Sequence, residues 1–206
     1  MYMNEPQGFE FISQVQPNEE DARAIQALTL QDVIAGDFKN QSELADPNDQ
    51  TKVKLQLNKL SQFPERYAAY KNENGVLIAY IKSNEWLADD EAPFVANSFA
   101  RKALLLTSKL RSGSLQPKEY GVFGLVGSNS LSGQERDTIL HNLLQHSIWK
   151  AAAQSAFAIN IVFHDNDPVT QIALDLGFNP AGAKGEAAGA PGLIQQRYRQ
   201  IIKYSL

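Results

Sequence analysis

Apolar and polar residues recur along the chain with periods that change from one segment to the next. Residues 132–153 carry apolar side chains at the spacing of one helix face, and Ser132 with Glu135 has the form of a capping box. β-branched and aromatic runs at residues 120–126 and 157–163 predict strands before and after that helix. The second half of the chain therefore begins as strand, long helix, strand.

A short helix with a signal at each end follows the strand at 157–163. Asp167 can cap a helix, Pro168 suits its first position, and Gly177 suits the left-handed conformation that ends it. Phe178 can fold back on the last turn. We predict one helix between Asp167 and Gly177.

The N-terminal third has weaker patterns. Residues 9–15 alternate as a strand does, and residues 17–35 have apolar side chains at helical spacing, with Gly36 as the helix end. Residues 53–60 indicate a second helix or an irregular apolar segment. Strand-like residues 67–81 contain Asn74-Gly75, which predicts a hairpin because this pair supplies the positive φ angles of a tight turn.

The remaining segments complete one domain. Residues 86–117 suggest a helical insertion, a segment dense in Gly and Ala spans 180–192, and residues 195–202 predict a last strand. We find no internal repeat and no second domain pattern. The chain is therefore interpreted as a single α/β domain over residues 1–206, with the insertion at about 86–117.

Composition excludes several classes of function. The 206 residues are 43% hydrophobic and 20% charged with a net charge of −4, which fits a globular protein and gives no electrostatic case for nucleic acid. With no cysteine, the chain has no disulfide, thiolate zinc site or cysteine nucleophile. His141 and His146 are five positions apart, which does not suit a pair of metal ligands on one helix face. We expect no metal.

The sequence also bears on location and partners. The first residues lack the basic start and apolar core of a signal peptide, and no apolar run reaches membrane-spanning length. Together with the lack of cysteine, this predicts a cytoplasmic protein that does not enter a membrane. A homodimer is compatible with the sequence.

The order strand, Asn166, short helix and Leu176-Gly177-Phe178 resembles the C-terminal half of the GCN5-related N-acetyltransferases (GNAT). In that family an Asn stands eleven positions before this Gly, as Asn166 does here. The resemblance covers roughly residues 120–202. It implies an α/β fold with a mixed, mostly antiparallel sheet that is flanked by helices and splayed between the fourth and fifth strands.

The resemblance also implies acetyl-CoA as co-substrate. In the family, the helix after the fourth strand binds the pyrophosphate through backbone N–H groups, because a helix N-terminus favours anions. The fourth strand holds the pantetheine arm through its backbone. The cofactor-binding residues carried over to this chain are Leu125, Gly127, Gly133, Gln134, Arg136, Thr138 and Asn166.

The chain departs from the family pattern at three positions. Glu135 and Asp137 stand where the family has glycines, and Ala173 stands where many members have a tyrosine that protonates the departing thiolate. Ser132 and Glu135 are accordingly interpreted either as a plain helix cap or as part of a phosphate site. The glycines of the fourth strand have two interpretations, strand bulges or close approach to the pantetheine arm: Gly121, Gly124 and Gly127.

His164 is the candidate catalytic base, because an imidazole at a strand end can take a proton from an amine near neutral pH. An acidic cluster after the third strand is the alternative that could attract an amine: Glu85, Asp89, Asp90 and Glu91. We expect acyl transfer from acetyl-CoA or another acyl-CoA to a small-molecule or peptide amine, by direct attack. The alternatives are a non-catalytic ligand-sensing or protein-interaction module of the same fold, and another α/β enzyme.

Overall fold

A computed structural model describes residues 6–35, 49–87, 118–164, 167–187 and 190–202. Several sequence predictions lie outside these residues. They are the helix predicted within the insertion, the helix end at Gly36, the acidic residues 89–91, and Asn166.

The described residues form four α-helices and eight strands. The helices are α1 (Glu19–Ala35), α2 (Gln50–Gln62), α3 (Gly133–Ala153) and α4 (Thr170–Asp175). The strands are β1 (Phe9–Ile12), β2 (Tyr67–Asn72), β3 (Leu77–Glu85), β4 (Glu119–Gly127), β5 (Ala158–His164), β6 (Asn179–Pro180), β7 (Gly185–Ala187) and β8 (Ala190–Ile201). The apolar segment at 53–60 is thus helical, and Asp49 caps it by accepting a hydrogen bond from the Thr51 N–H at 2.9 Å.

The strands hydrogen bond in the order β1-β2-β3-β4-β5-β8-β6, and β7 also pairs with β8. β4 and β5 are parallel, whereas β1–β2, β2–β3 and β5–β8 are antiparallel. The predicted mixed, mostly antiparallel sheet is confirmed, and β4–β5 is a parallel pair within it. The β4–β5 register joins Glu119–Val122 to Ala158–Ile161. Among the described residues this register stops five residues before the end of β4 and three before the end of β5.

One compact unit comprises residues 1–83 and 124–146. Its core forms because α1 and α2 place their apolar faces against the sheet, and the buried residues include Ile25, Leu28, Val53, Leu60, Tyr80 and Val126. The Thr29 and Tyr80 hydroxyl groups lie 2.7 Å apart, which joins α1 to β3. Buried Asp21 forms an ion pair with Lys71 at 2.9 Å, so its charge is compensated.

The hairpin between β2 and β3 forms as predicted, but its turn is built differently. Gly75 has φ +73°, whereas Asn74 has no positive φ. The Gly75 N–H donates to the Asn72 carbonyl at 2.8 Å, and the Asn72 side-chain oxygen accepts from the N–H groups of Asn74 and Val76. The prediction of positive φ at both residues was wrong, because the Asn72 carboxamide holds Asn74 in the turn.

The second compact unit comprises residues 84–123 and 147–206. In it, α4 ends as predicted: Gly177 has φ +88°, its N–H donates to Leu174, and the Phe178 N–H donates to Ala173. Asp167 caps the start of α4 as predicted, because its Oδ1 accepts the Val169 N–H at 2.8 Å, but the helix itself begins at Thr170 and not at Pro168. The Thr170 N–H donates to the Asp167 carbonyl, which makes a tighter turn before the helix begins.

Candidate functional site

The end of β4 and the start of α3 lie together in the first unit. Leu125 and Gly127 are buried residues of β4. A Cβ built on Gly127 would lie 3.3 Å from Arg136 Cγ, 3.6 Å from Arg136 Nε and 3.4 Å from Leu140 Cδ2. Glycine therefore allows the Arg136 stem to lie directly against the strand. Because β4 extends beyond its register with β5, its last peptide groups are not used by that ladder.

The start of α3 is a capping box, as the sequence predicted. The Ser132 N–H and hydroxyl both donate to Glu135 Oε2, at 3.0 and 2.6 Å, and the Glu135 N–H donates to Ser132 Oγ at 3.3 Å. The hydrogen bonds from the Ser132 hydroxyl and then from its backbone N–H lower the pKa of Glu135. Glu135 therefore places a carboxylate at the helix start.

Two backbone donors remain available in this first turn. Within the described part of the chain, no hydrogen bond uses the N–H of Gly133 or Gln134, and both residues are exposed. A Cβ on Gly133 would meet nothing within 4 Å. The Thr138 hydroxyl donates to the Gln134 carbonyl at 2.8 Å, so its proton is directed to the helix backbone.

Arg136 places a positive charge at the start of α3. It lies half-buried on the first turn of α3, and its Nε is a buried donor that has no hydrogen-bond partner among the described residues. Asp137, next to it, is exposed. The structure thus brings together one guanidinium, two unused N–H groups and one capping carboxylate.

His164 lies at the end of β5 in the second unit. Its Nε2 is 3.7 Å from Asp167 Oδ2, and Asp167 Oδ1 accepts a hydrogen bond from the Val169 N–H at 2.8 Å. The Asp167 N–H donates to the His164 carbonyl at 3.2 Å, and this backbone hydrogen bond holds the two residues close together. A base and an oriented carboxylate are therefore adjacent here.

The remaining sequence predictions concern the acidic cluster, metal binding and the membrane. Glu85, the described member of the acidic cluster, is exposed at the end of β3. Within the described residues, no group of three or more acidic or histidine side chains has a geometry that could hold a metal ion. None of the helices described is long and apolar enough to cross a membrane.

No family model and no curated protein matches the chain. Solved structures do match it along nearly its whole length. A chain of the NatC complex bound to Gag peptide and CoA has a TM-score of 0.64 at 11% identity, with 96% of this chain and 100% of that chain covered. yncA from Salmonella typhimurium with its cofactor acetyl-CoA has a TM-score of 0.59 at 12% identity, with 97% and 96% covered.

An N-acetyltransferase from Staphylococcus aureus Mu50 gives a similar result, with a TM-score of 0.59, 14% identity, and 95% and 99% of the two chains covered. The chain has the GNAT fold. The resemblance seen in the sequence is therefore confirmed for the fold. At identities this low, structural similarity shows the fold alone, and the activity has to be argued from the site.

Within this GNAT fold, Ala173 is fully buried in α4. Its carbonyl accepts the Phe178 N–H that ends the helix. The position where many GNAT enzymes have a tyrosine is therefore part of the core in this chain, and no general acid can act from it.

Sequence reasoning missed two groups in the second unit. Trp86 stacks on Phe123, with ring centroids 5.8 Å apart and planes inclined by 22°. Glu119 accepts hydrogen bonds from Asn160 and from Arg199. A Cβ on Gly121 would lie 2.6 Å from Trp86 Cε3 and 2.9 Å from the Phe123 ring. Ring packing therefore explains Gly121 without a bulge or a pantetheine arm, and a glycine between aromatic strand residues was the available signal.

Proposed function

We propose that this protein transfers an acyl group from acetyl-CoA, or another acyl-CoA, to a small-molecule or peptide amine by direct attack. The observation that carries the proposal is the start of α3 beside the end of β4. Two unused backbone N–H groups and the Arg136 guanidinium lie there, in a fold whose solved relatives include structures with CoA and acetyl-CoA. These donors fit a pyrophosphate, and the Glu135 carboxylate opposes it.

In this proposal each residue has a defined task. The N–H groups of Gly133 and Gln134 bind the pyrophosphate, with Arg136 supplying positive charge and the oxygen of Thr138 lining the site. The backbone of Leu125 and Gly127 holds the pantetheine arm. Asn166, which lies outside the described residues, is assigned to the same arm.

Acetyl-CoA supplies a thioester, whose acyl carbon forms a bond to the amine nitrogen as the carbon–sulfur bond breaks. His164 removes the proton from the attacking amine, and Asp167 holds the imidazole in place. The acidic residues of the 85–91 segment are the alternative to His164. Because position 173 is buried, the thiolate takes its proton from water.

Ligand-induced stabilisation tests the cofactor part. A ligand present at a hundred times its Kd stabilises by about 2.7 kcal/mol, which raises the Tm of a chain this size by about 5–10 °C. We expect this shift with acetyl-CoA and a clearly weaker Kd in Arg136→Gln. Arg23→Gln is the matched control, because Arg23 is an exposed arginine on α1 that pairs with Glu19. No Tm shift in the wild-type chain would contradict the proposal.

Removing negative charge from the start of α3 tests whether this helix end binds the pyrophosphate. Replacing Glu135 by Gln and Asp137 by Asn removes two repelling charges while it keeps the side-chain volumes, so CoA should bind several-fold more tightly. Unchanged affinity in the folded double variant would show that this helix start does not bind the pyrophosphate.

The buried Ala173 supports a second candidate, a non-catalytic module that binds a CoA ligand. This candidate predicts the same Tm shift with acetyl-CoA but no thiol release with any amine. The lack of cysteine supports a reducing compartment such as the cytoplasm for either candidate.

A further inference from the structure

The second unit presents an aromatic pair and the candidate base on one face of its sheet. The Tyr120 ring lies 6.0 Å from Lys150 Nζ of α3, so Tyr120 faces that helix. Neighbouring strand residues point to opposite faces, which places Gly121 on the face away from α3. The Phe123 ring would lie 2.9 Å from a Cβ built on Gly121, so it lies on the same face. Gly121 is in register with Asn160, so His164, four residues further along β5, shares this face.

The aromatic pair is a built feature of this face. Phe123 is 41% exposed although it belongs to a central strand, and Trp86, beneath it, is 8% exposed. The two rings can stack because residue 121 has no Cβ, which would otherwise lie 2.6 Å from the Trp86 ring. An exposed aromatic ring on a strand offers a flat apolar surface that an apolar ligand can cover.

The position of the pair indicates which ligand it serves. Phe123 is the first residue of β4 beyond the register with β5, and His164 lies three residues beyond that register on β5. If the acceptor amine reaches His164 from this face, the acceptor group next to the amine would lie near the two rings.

We propose that the exposed Phe123 ring, which stacks on buried Trp86, binds the apolar side chain of the acceptor, so that the acceptor class is amines with a bulky aliphatic or aromatic group next to the amine. This inference rests on the proposed acyl transfer and names its substrate class. An enzyme that binds the apolar group of one substrate disfavours a substrate with a smaller group by roughly tenfold to a few hundredfold in kcat/KM.

Transfer to two matched amines tests the inference. With acetyl-CoA as donor, leucinamide should be acetylated with at least about a tenfold higher kcat/KM than glycinamide, measured by thiol release. Phe123→Ala should abolish this preference, whereas Phe123→Leu should retain part of it. Phe157→Ala is the matched control, because Phe157 is also 41% exposed and also lies in the second unit.

Fluorescence gives a readout that does not depend on turnover. The chain has two tryptophans, so Trp149→Phe leaves Trp86 as the only one. Leucinamide should change the Trp86 emission at concentrations at which glycinamide does not, and Phe123→Ala should weaken that response at least about tenfold.

The outcomes separate this inference from the proposed function. Equal transfer to both amines, or an unchanged preference in folded Phe123→Ala, overturns the aromatic acceptor site and leaves acyl transfer intact. If acetyl-CoA does not stabilise the chain, acyl transfer fails and the substrate assignment fails with it. In that case the Trp86 titration still decides whether the rings bind apolar amines.

Discussion

The side-chain amide of Asn160 donates a hydrogen bond to the Glu119 carboxylate at 2.8 Å, across the parallel strands β5 and β4. Asn160 is fully buried, and the other Glu119 oxygen accepts from the Arg199 guanidinium on β8. One carboxylate thus accepts hydrogen bonds from the adjacent strand β5 and from β8 beyond it.

This arrangement predicts strong coupling between Glu119 and Asn160. Glu119→Ala leaves a buried amide and a partly buried guanidinium without their acceptor, so we expect a loss of about 1–3 kcal/mol in the free energy of unfolding. Adding Asn160→Ala to that variant should cost less than Asn160→Ala alone, by about 1 kcal/mol. Urea denaturation of the four chains measures the coupling. Additive losses would show that the hydrogen bond contributes little.

Gly121→Ala should destabilise the second unit. The new Cβ would lie 2.6 Å from Trp86, and moving the ring costs about 1–3 kcal/mol. Gly124→Ala is the matched control on the same strand, because its Cβ would lie an ordinary 3.4 Å from Tyr80. Thermal unfolding compares the two. Equal Tm values would mean that the Trp86 ring moves aside without cost.

The capping box predicts a pH dependence of stability. The Ser132 hydrogen bonds lower the pKa of Glu135, so its contribution is fully present above the ordinary glutamate pKa of about 4.3. That contribution is lost as the pH falls through the lowered value of the folded state. Glu135→Gln should therefore lower the Tm at pH 7, and the difference should shrink in acid. In a Ser132→Ala background, Glu135→Gln should change the Tm little at every pH. A Tm change as large as in the wild-type background would mean that Glu135 stabilises the chain through another partner.

His164→Gln tests the candidate base. Glutamine keeps polarity and approximate size but cannot take up a proton, so acyl transfer should fall by on the order of a hundredfold or more while acetyl-CoA still stabilises the chain. His141→Gln on α3 is the control. Full activity in His164→Gln would move the base to the acidic 85–91 segment.

Local patterns predicted most of the described elements, and the resemblance of residues 120–202 predicted the fold. The capping box of Ser132 and Glu135 and the left-handed end at Gly177 each involve residues a few positions apart, so their chemistry is visible in the sequence. The strand, helix and strand order from β4 to β5 is likewise local, and a helical crossover of this kind joins parallel strands. His164 and Asp167 also lie close together because they are only three positions apart in the chain.

Tertiary structure decided what the sequence left open. Gly121 is needed for the packing of Trp86 and Phe123, and Trp86 is 35 positions away in the chain. Glu119 holds Asn160 and Arg199, which come from strands that only the folded sheet makes neighbours. The stem of Arg136 lies against Gly127 because α3 folds back along β4. Such contacts depend on strand register and helix docking, which follow from the packing of the whole core and not from the spacing of residues within one segment.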